Sequence, residues 1–157
     1  MIDRRRPGKG YRHFLPQRDI ETFIGLLPDW TELSKGLSAI VLVPGHRQYF
    51  GYHSPGVVHI CAWRDDLGLR YRENEVGLEK NLPIYRRPTV PCEPDEEGRI
   101  CCRFDSTTVR AFQLLDVLLH ELGHHHDRMT TKSKVRASRG ESYAEAYALR
   151  YEAVMWE

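Results

Sequence analysis

His120-Glu121-Leu122-Gly123-His124 places two imidazoles four positions apart, with a carboxylate next to the first. In an α-helix, residues i and i+4 stand one turn apart on a single face, so both rings can converge on one ion. Imidazole nitrogen is a common ligand of zinc. Glu121 is rotated by about 100° from His120 on 3.6-residue geometry. That is too far round for a third ligand, but it suits a base beside a metal-bound water. The H-E-x-x-H spacing therefore predicts two metal ligands and a general base.

Polar residues near a helix end can do no more than meet solvent, and histidines suit the negative end of the helix dipole. Three features weigh against that simpler role. The surrounding helix is apolar almost all round, so it is buried, and unpaired histidine and glutamate would be costly there. Gly123 costs about 1 kcal/mol relative to alanine inside a helix, which suggests that something passes close to it. A further ligand is also at hand. The segment Gly140-Glu141-Ser142-Tyr143-Ala144-Glu145 lies downstream, with Glu141 17 positions after His124. A loop of that length lets a second helix fold back on the histidines. Glu141 and Glu145 share one face of it. One can ligate the metal while the other accepts a hydrogen bond from the far nitrogen of a ligand histidine.

The elements that must position these groups follow from periodicity. Asp105 and Ser106 are good N-caps, and the helix they open should run to about His126 as the central helix of the fold. Asp127 to Arg139 reads as a polar loop, with His125 and His126 on the solvent side or at a fraying helix end. Gly140 opens a final helix, whose stripe is Ala144, Tyr147, Ala148, Tyr151, Val154 and Met155. Upstream, Ile20, Phe23, Ile24 and Leu27 mark a helix, and a short one is expected over Trp30 to Leu37. Strands are expected at Ser38–Pro44, Arg47–Tyr52 and Val57–Trp63, the last two joined as a hairpin through His53-Ser54-Pro55-Gly56. Arg64 to Tyr85 reads as a helix followed by a loop. A last hairpin joins Thr89–Cys92 to Ile100–Phe104. His46, His53 and His59 read as ordinary polar residues.

H-E-L-G-H followed by E-x-x-A-E-x-Y-A resembles the gluzincin metallopeptidases, above all their compact ImmA/IrrE-type members and the HtpX/Ste24-type core without its membrane helices. The resemblance covers residues 106 to 150. It implies that His120, His124 and Glu141 bind Zn2+, that Glu121 is the catalytic base, and that Glu145 supports a ligand histidine. Glu145 is a departure, because these families carry Asp or Asn there. The implied fold is α+β and zincin-like: a small mixed or antiparallel sheet packed on a buried H-E-x-x-H helix and a C-terminal helix. A strand edge is expected to receive an extended peptide, with Val57–Trp63 and Ile100–Phe104 as candidates. Tyr143 and Tyr147 are candidate transition-state donors. The metzincin pattern fails, since its glycine and third histidine would fall on Asp127 and Thr130. The peptide deformylase pattern fails because Cys101 and Cys102 lack its glycine-cysteine-leucine setting.

Composition bounds the remaining choices. The chain has 157 residues, with 41% hydrophobic and 29% charged, enough to bury a core. No apolar run approaches the ~20 residues of a membrane span. The formal net charge is +1, which weighs against nucleic acid as a partner and leaves the basic first segment as its one point of contact. Residues 1–18 hold six Lys or Arg against one acid and are expected to form a flexible basic arm before a single domain over 19–157. The basic residues between Arg128 and Arg139 read as a solvated loop. Cys61, Cys92, Cys101 and Cys102 are expected as reduced thiols of a cytoplasmic protein. The expected activity is Glu-assisted hydrolysis of peptide bonds in a protein or peptide substrate. The rival reading is a metal-binding regulatory or partner-binding module that needs no general peptidase activity. Glu121 separates the two, since a purely structural metal does not require it.

Overall fold

Ile2 and Leu15, two apolar residues in a stretch dominated by charge, fasten the start of the chain to its body. A computed structural model describes residues 1–72, 89–131 and 139–156. Ile2–Arg4 (β1) pairs in parallel with Ala39–Val43 (β3), and Arg5 N–H donates to Leu42 O at 2.8 Å. Tyr11–Arg12 (β2) pairs antiparallel with Trp63–Arg64 (β6), and Leu15 is fully buried. The Arg110 guanidinium donates to Phe14 O at 2.9 Å. The arm expected to be flexible is thus bound along its length. A charge count hides this, because the bonds are made by the backbone.

Helices α1 (Gln17–Leu26) and α2 (Trp30–Leu33) follow, with Ile20, Phe23, Leu27 and Leu33 buried. The main sheet has the order β1-β3-β5-β4, with β4 at Gly51–Ser54 and β5 at Val57–Cys61. β1, β3 and β5 are parallel, and β4 returns antiparallel to β5 through the expected hairpin. Ile40, Leu42, Val58 and Ile60 point into the main core, while Val41, Val43 and Cys61 form a smaller cluster, the period-two split of a covered sheet.

A second sheet has the order β7-β9-β8, from Gly68–Arg72 (β7), Cys92–Pro94 (β8) and Arg99–Arg103 (β9). β7 falls where a helix was expected. Leu69 and Tyr71 pack on the core and alternate with the more exposed Arg70 and Arg72, so the arginines mask a strand pattern. The rest of that expected helix and loop lies outside the described residues. Cys92 and Cys102 oppose each other across β8 and β9 and form a disulfide, whereas Cys61 and Cys101 are free and buried. The expectation of four free thiols is corrected, and with it goes the cysteine argument for a reducing compartment. Both strands proposed as substrate edges are interior: β5 lies between β3 and β4, and β9 between β7 and β8.

Asp105 starts the helical half of the domain. Its carboxylate accepts from Thr108 N–H at 2.7 Å, and the Thr108 hydroxyl accepts from Asp105 N–H at 2.8 Å. This reciprocal cap satisfies donors that the first turn cannot. Helix α3 (Ser106–Phe112) passes into a π-helical segment, Gln113–Leu118, and then into α4 (Leu119–Thr130). The central helix therefore continues past His126. The wider π turn takes up one extra residue. It lets Phe112, Gln113, Val117, Leu118 and Leu122 all be buried across the register change. The C-terminal helix α5 (Gly140–Trp156) folds back on α4. The architecture is mixed α+β, with small sheets and a C-terminal helix. Among the described residues, no helix is long and apolar enough to cross a membrane.

Candidate metal centre

Two glycines set the spacing of the elements around the motif. A Cβ at Gly123 would lie 2.8 Å from Ala144 Cα and 3.1 Å from Ala144 O, so α4 and α5 cross at that residue with no room for a side chain. This is the close approach that a glycine inside the motif predicts. A Cβ at Gly51 would lie 2.6 Å from Val117 Cγ1, 2.8 Å from His59 O and 3.2 Å from Glu121 Cγ. β4 therefore lies directly over the motif helix at the level of Glu121. The helix crossing brings the first turn of α5 to the histidines, and the strand walls the other side.

Glu141 bridges the histidine pair. Its two carboxylate oxygens lie 3.1 Å from His120 Nε2 and 3.2 Å from His124 Nε2. The three donor atoms lie within 4.8 Å of one another. Ligand bonds of 2.0–2.1 Å in tetrahedral array put donors about 3.3 Å apart, so the group is of a size to hold a metal ion. Burial, and then the neighbouring His124, lower the His120 pKa and keep it neutral, which is the ligating form. The Glu141 side chain is 67% exposed, so the site opens to solvent on that side.

Glu121 is 7% exposed and makes no hydrogen bond or ion pair among the described residues. Burial, followed by the nearby Glu141 and Asp116, pushes its carboxyl up to about 8. It faces a cleft of about 800 Å³ whose wall also includes His120, His124, Glu141 and Glu145. Glu145 stands one turn beyond Glu141, and its charge acts on His120.

The opposite face of α4 packs into the domain. His125 is completely buried, and its Nε2 donates to Lys35 O at 2.9 Å, which corrects the solvent-side expectation. Asp127 belongs to the helix rather than to a loop and is also completely buried. Its carboxylate accepts from Arg139 N–H at 2.9 Å, Arg139 Nε at 2.8 Å and Gly140 N–H at 3.1 Å. Burial pushes Asp127 up, but the Arg139 and Gly140 donors outweigh it and hold the carboxyl below its ordinary range. The tie ends one residue before Glu141, and so fixes that carboxylate relative to His124. Lys132, Lys134 and Arg136 of the basic loop lie outside the described residues.

Tyr143 and Tyr147 do not reach the cleft. The Tyr143 hydroxyl is 2.6 Å from His126 Nδ1, the Arg139 guanidinium lies over its ring, and Tyr147 is buried. Instead Tyr49, Tyr52 and His53 line the cleft, residues assigned from the sequence only to a strand (Tyr49 and Tyr52) and to the turn after it (His53). Tyr52 stacks on His59 with ring centroids 4.1 Å apart, and Tyr49 stacks on His46 at 3.7 Å. Burial, then His125 and Arg128, lower His53 to about 4. The one signal in the sequence for these residues is their place beside the hairpin turn.

No family model, no curated protein and no solved structure matches the chain.

Proposed function

We propose that the protein is a zinc-dependent peptide hydrolase of gluzincin type on a zincin-like scaffold, with His120, His124 and Glu141 as ligands and Glu121 as general base. The observation that carries this reading is the convergence of three donor atoms within 4.8 Å beside a buried, unpartnered Glu121 that faces an open cleft. His120, His124 and Glu141 would hold the ion, which would supply Lewis-acid polarisation of the scissile carbonyl and of the attacking water. Glu121 takes the proton of the attacking water and returns it to the leaving amine. Burial raises its carboxyl to about 8, and a cation held beside it would lower that value and favour the ionised form that the base step needs. Glu145 supports His120 through its charge, which acts on that ring.

The substrate lies extended along β4, which is the outer strand of the main sheet and forms a wall of the cleft. Cys61 N–H donates to Phe50 O, so by the alternation of an antiparallel ladder Gly51 and His53 turn their amide and carbonyl groups to the free edge. Those groups offer a strand-addition site beside Glu121.

Metal analysis of the purified, zinc-supplied chain should find about one zinc per chain. His120→Ala with His124→Ala should remove it, and full occupancy in that double variant would overturn the site. Glu141→Gln should weaken zinc binding sharply, and Glu145→Gln by ~10–100-fold. The reverse order in a chelator competition would make Glu145 the ligand. Incubation with cell extract, followed by mass spectrometry of new peptide termini, tests the reaction. Termini are expected with the wild type and not with Glu121→Gln. No termini with either, together with a stable partner recovered by both, would favour the binding module.

A further inference from the structure

We infer that the protein binds single-stranded nucleic acid on a second surface, where rings on and before β4 receive bases and Arg5, Arg6, Lys9 and Arg47 receive phosphates. The inference stands apart from the hydrolase reading, since it uses none of the metal ligands. Charge is unevenly placed on this chain. Residues 1–18 hold six of its 23 Lys and Arg and one of its 22 acids. The remainder therefore carries more acids than bases, and the formal net charge of +1 conceals a basic end.

That end is fixed beside the loop before β4. Gly45 N–H donates to Pro7 O at 2.9 Å, and the Tyr11 ring lies against Gly45 where a Cβ would overlap it. A Cβ at Gly8 would lie 3.7 Å from Pro44 Cβ. The turn that carries Arg6 and Lys9 thus abuts the loop that carries His46 and Arg47, and all four side chains are exposed. Arg4 opposes Leu42, which faces the main core, so Arg5 stands on the other face of the sheet with His59 and Tyr52. Its charge acts on both of them. Among the described residues, no carboxylate pairs with Arg5, Arg6, Lys9 or Arg47. Two acids stand at the margins: Asp3 accepts from Arg4 N–H, and Asp65 N–H donates to Gly10 O.

The rings are an independent observation. His46 and Tyr49 stack with centroids 3.7 Å apart and planes 12° apart, and Tyr52 and His59 stack at 4.1 Å and 11°. The two tyrosines meet edge to face at 5.7 Å, so the four rings form one run. His46 Nδ1 accepts from Gln48 N–H at 3.2 Å, and His59 Nδ1 lies 3.3 Å from Tyr52 O. Yet Tyr49 is 42% exposed and Tyr52 38%. Rings held in this way lose little freedom on binding, and a flat π face accepts any base. An acidic peptide or an anionic membrane would use the cations but not the rings. A duplex keeps its bases stacked on one another. A single strand answers to both features at once.

The test titrates the full chain, supplied with zinc, against labelled oligouridine RNA and oligothymidine DNA of ~12 nucleotides, followed by fluorescence anisotropy. The competing probes are a duplex of the same length, polyglutamate and phosphatidylserine vesicles. At least one single strand should bind more tightly than all three, and a difference between RNA and DNA would show whether the 2′-hydroxyl is read. Affinity should fall with salt, with a log–log slope of about −0.7 per phosphate contact. Arg6→Gln with Lys9→Gln should weaken binding and flatten that slope by roughly 1.4. Tyr49→Ala should weaken binding at least about fivefold with the slope kept, and Tyr49→Phe should restore it. No binding of either strand at low salt would overturn the inference. So would equal or tighter binding of any competing probe, or an affinity that Tyr49→Ala leaves unchanged. All these readouts are taken without turnover and leave the hydrolase reading as it stands.

Discussion

Glu121 and Asp127 are both buried acids on α4, six positions apart, in opposite surroundings. Asp127 meets three donors from the start of α5 and is held ionised below its ordinary range. Glu121 meets none, and burial drives it up to about 8. Their histidine neighbours follow the same division. His125 gives its Nε2 proton to Lys35 O, whereas His120 and His124 turn toward one exposed carboxylate. Burial therefore does not separate the two acids. What does is the set of donors at Asp127 and the opening of the cleft at Glu121. One face is tied to the rest of the domain, and the other lines a cleft.

Neutralising the acid on each face breaks this comparison in different ways. The largest effect is expected at Glu121. Glu121→Gln should lower the rate by ~10²–10⁴-fold, with thermal stability unchanged or raised, because an unpartnered buried carboxyl is removed. A variant that both unfolds and loses zinc would place Glu121 with Asp127 as a structural residue. Asp127→Ala comes next. It leaves Arg139 and the start of α5 without their acceptor and should cost about 3 kcal/mol in a denaturant titration, with weaker zinc binding as Glu141 loses its anchor. Unchanged stability would show that the two faces do not differ as described.

Gly123→Ala should cost about 1–2 kcal/mol, because strain against the Ala144 backbone exceeds the gain in helix propensity. Since the shift falls on the α4–α5 crossing, zinc affinity should drop with it, and an unaltered affinity would separate the crossing from the metal centre. The smallest effect is in the pH profile. The folded pKa of Asp127 is depressed from 3.8, so its contribution is fully present above that value and is lost as pH falls through the folded pKa. Melting temperatures measured from pH 7 down to 3 should fall less steeply for Asp127→Asn than for the wild type. Parallel curves would mean that the tie does not depend on charge.

The face with the His120–His124 pair was legible because it is written in short-range spacing. The i,i+4 histidines, Gly123, the Asp105 cap and the start of α5 at Gly140 are each local signals, and each matches an element of the structure. What was missed depends on distant partners. β1 exists because β3 offers an edge some forty residues away, and β7 because β9 pairs with it. Asp127 looked like a loop residue because its donors come from the far end of a segment that returns to it. The cleft walls at Tyr49, Tyr52 and His53 carry no motif, since their role follows from where the β4–β5 hairpin lands on α4.

The π segment makes the geometry of this helix a matter of length as much as composition. Gln113–Leu118 carries one residue more than an α-helix would use. The chain on either side is tied separately, with Gln113 Nε2 donating to Cys61 O and His125 Nε2 donating to Lys35 O. Losing a single codon in this stretch would let the helix close into regular α-hydrogen bonding. Because the wider turn is what absorbs the extra residue, the two halves would stay close to their present relative orientation, and both ties could be kept. A residue lost from the regular part of the helix has no such outlet and would turn the halves by about 100° relative to each other. The π segment is thus the one stretch of this helix where the described contacts on either side tolerate a one-residue deletion.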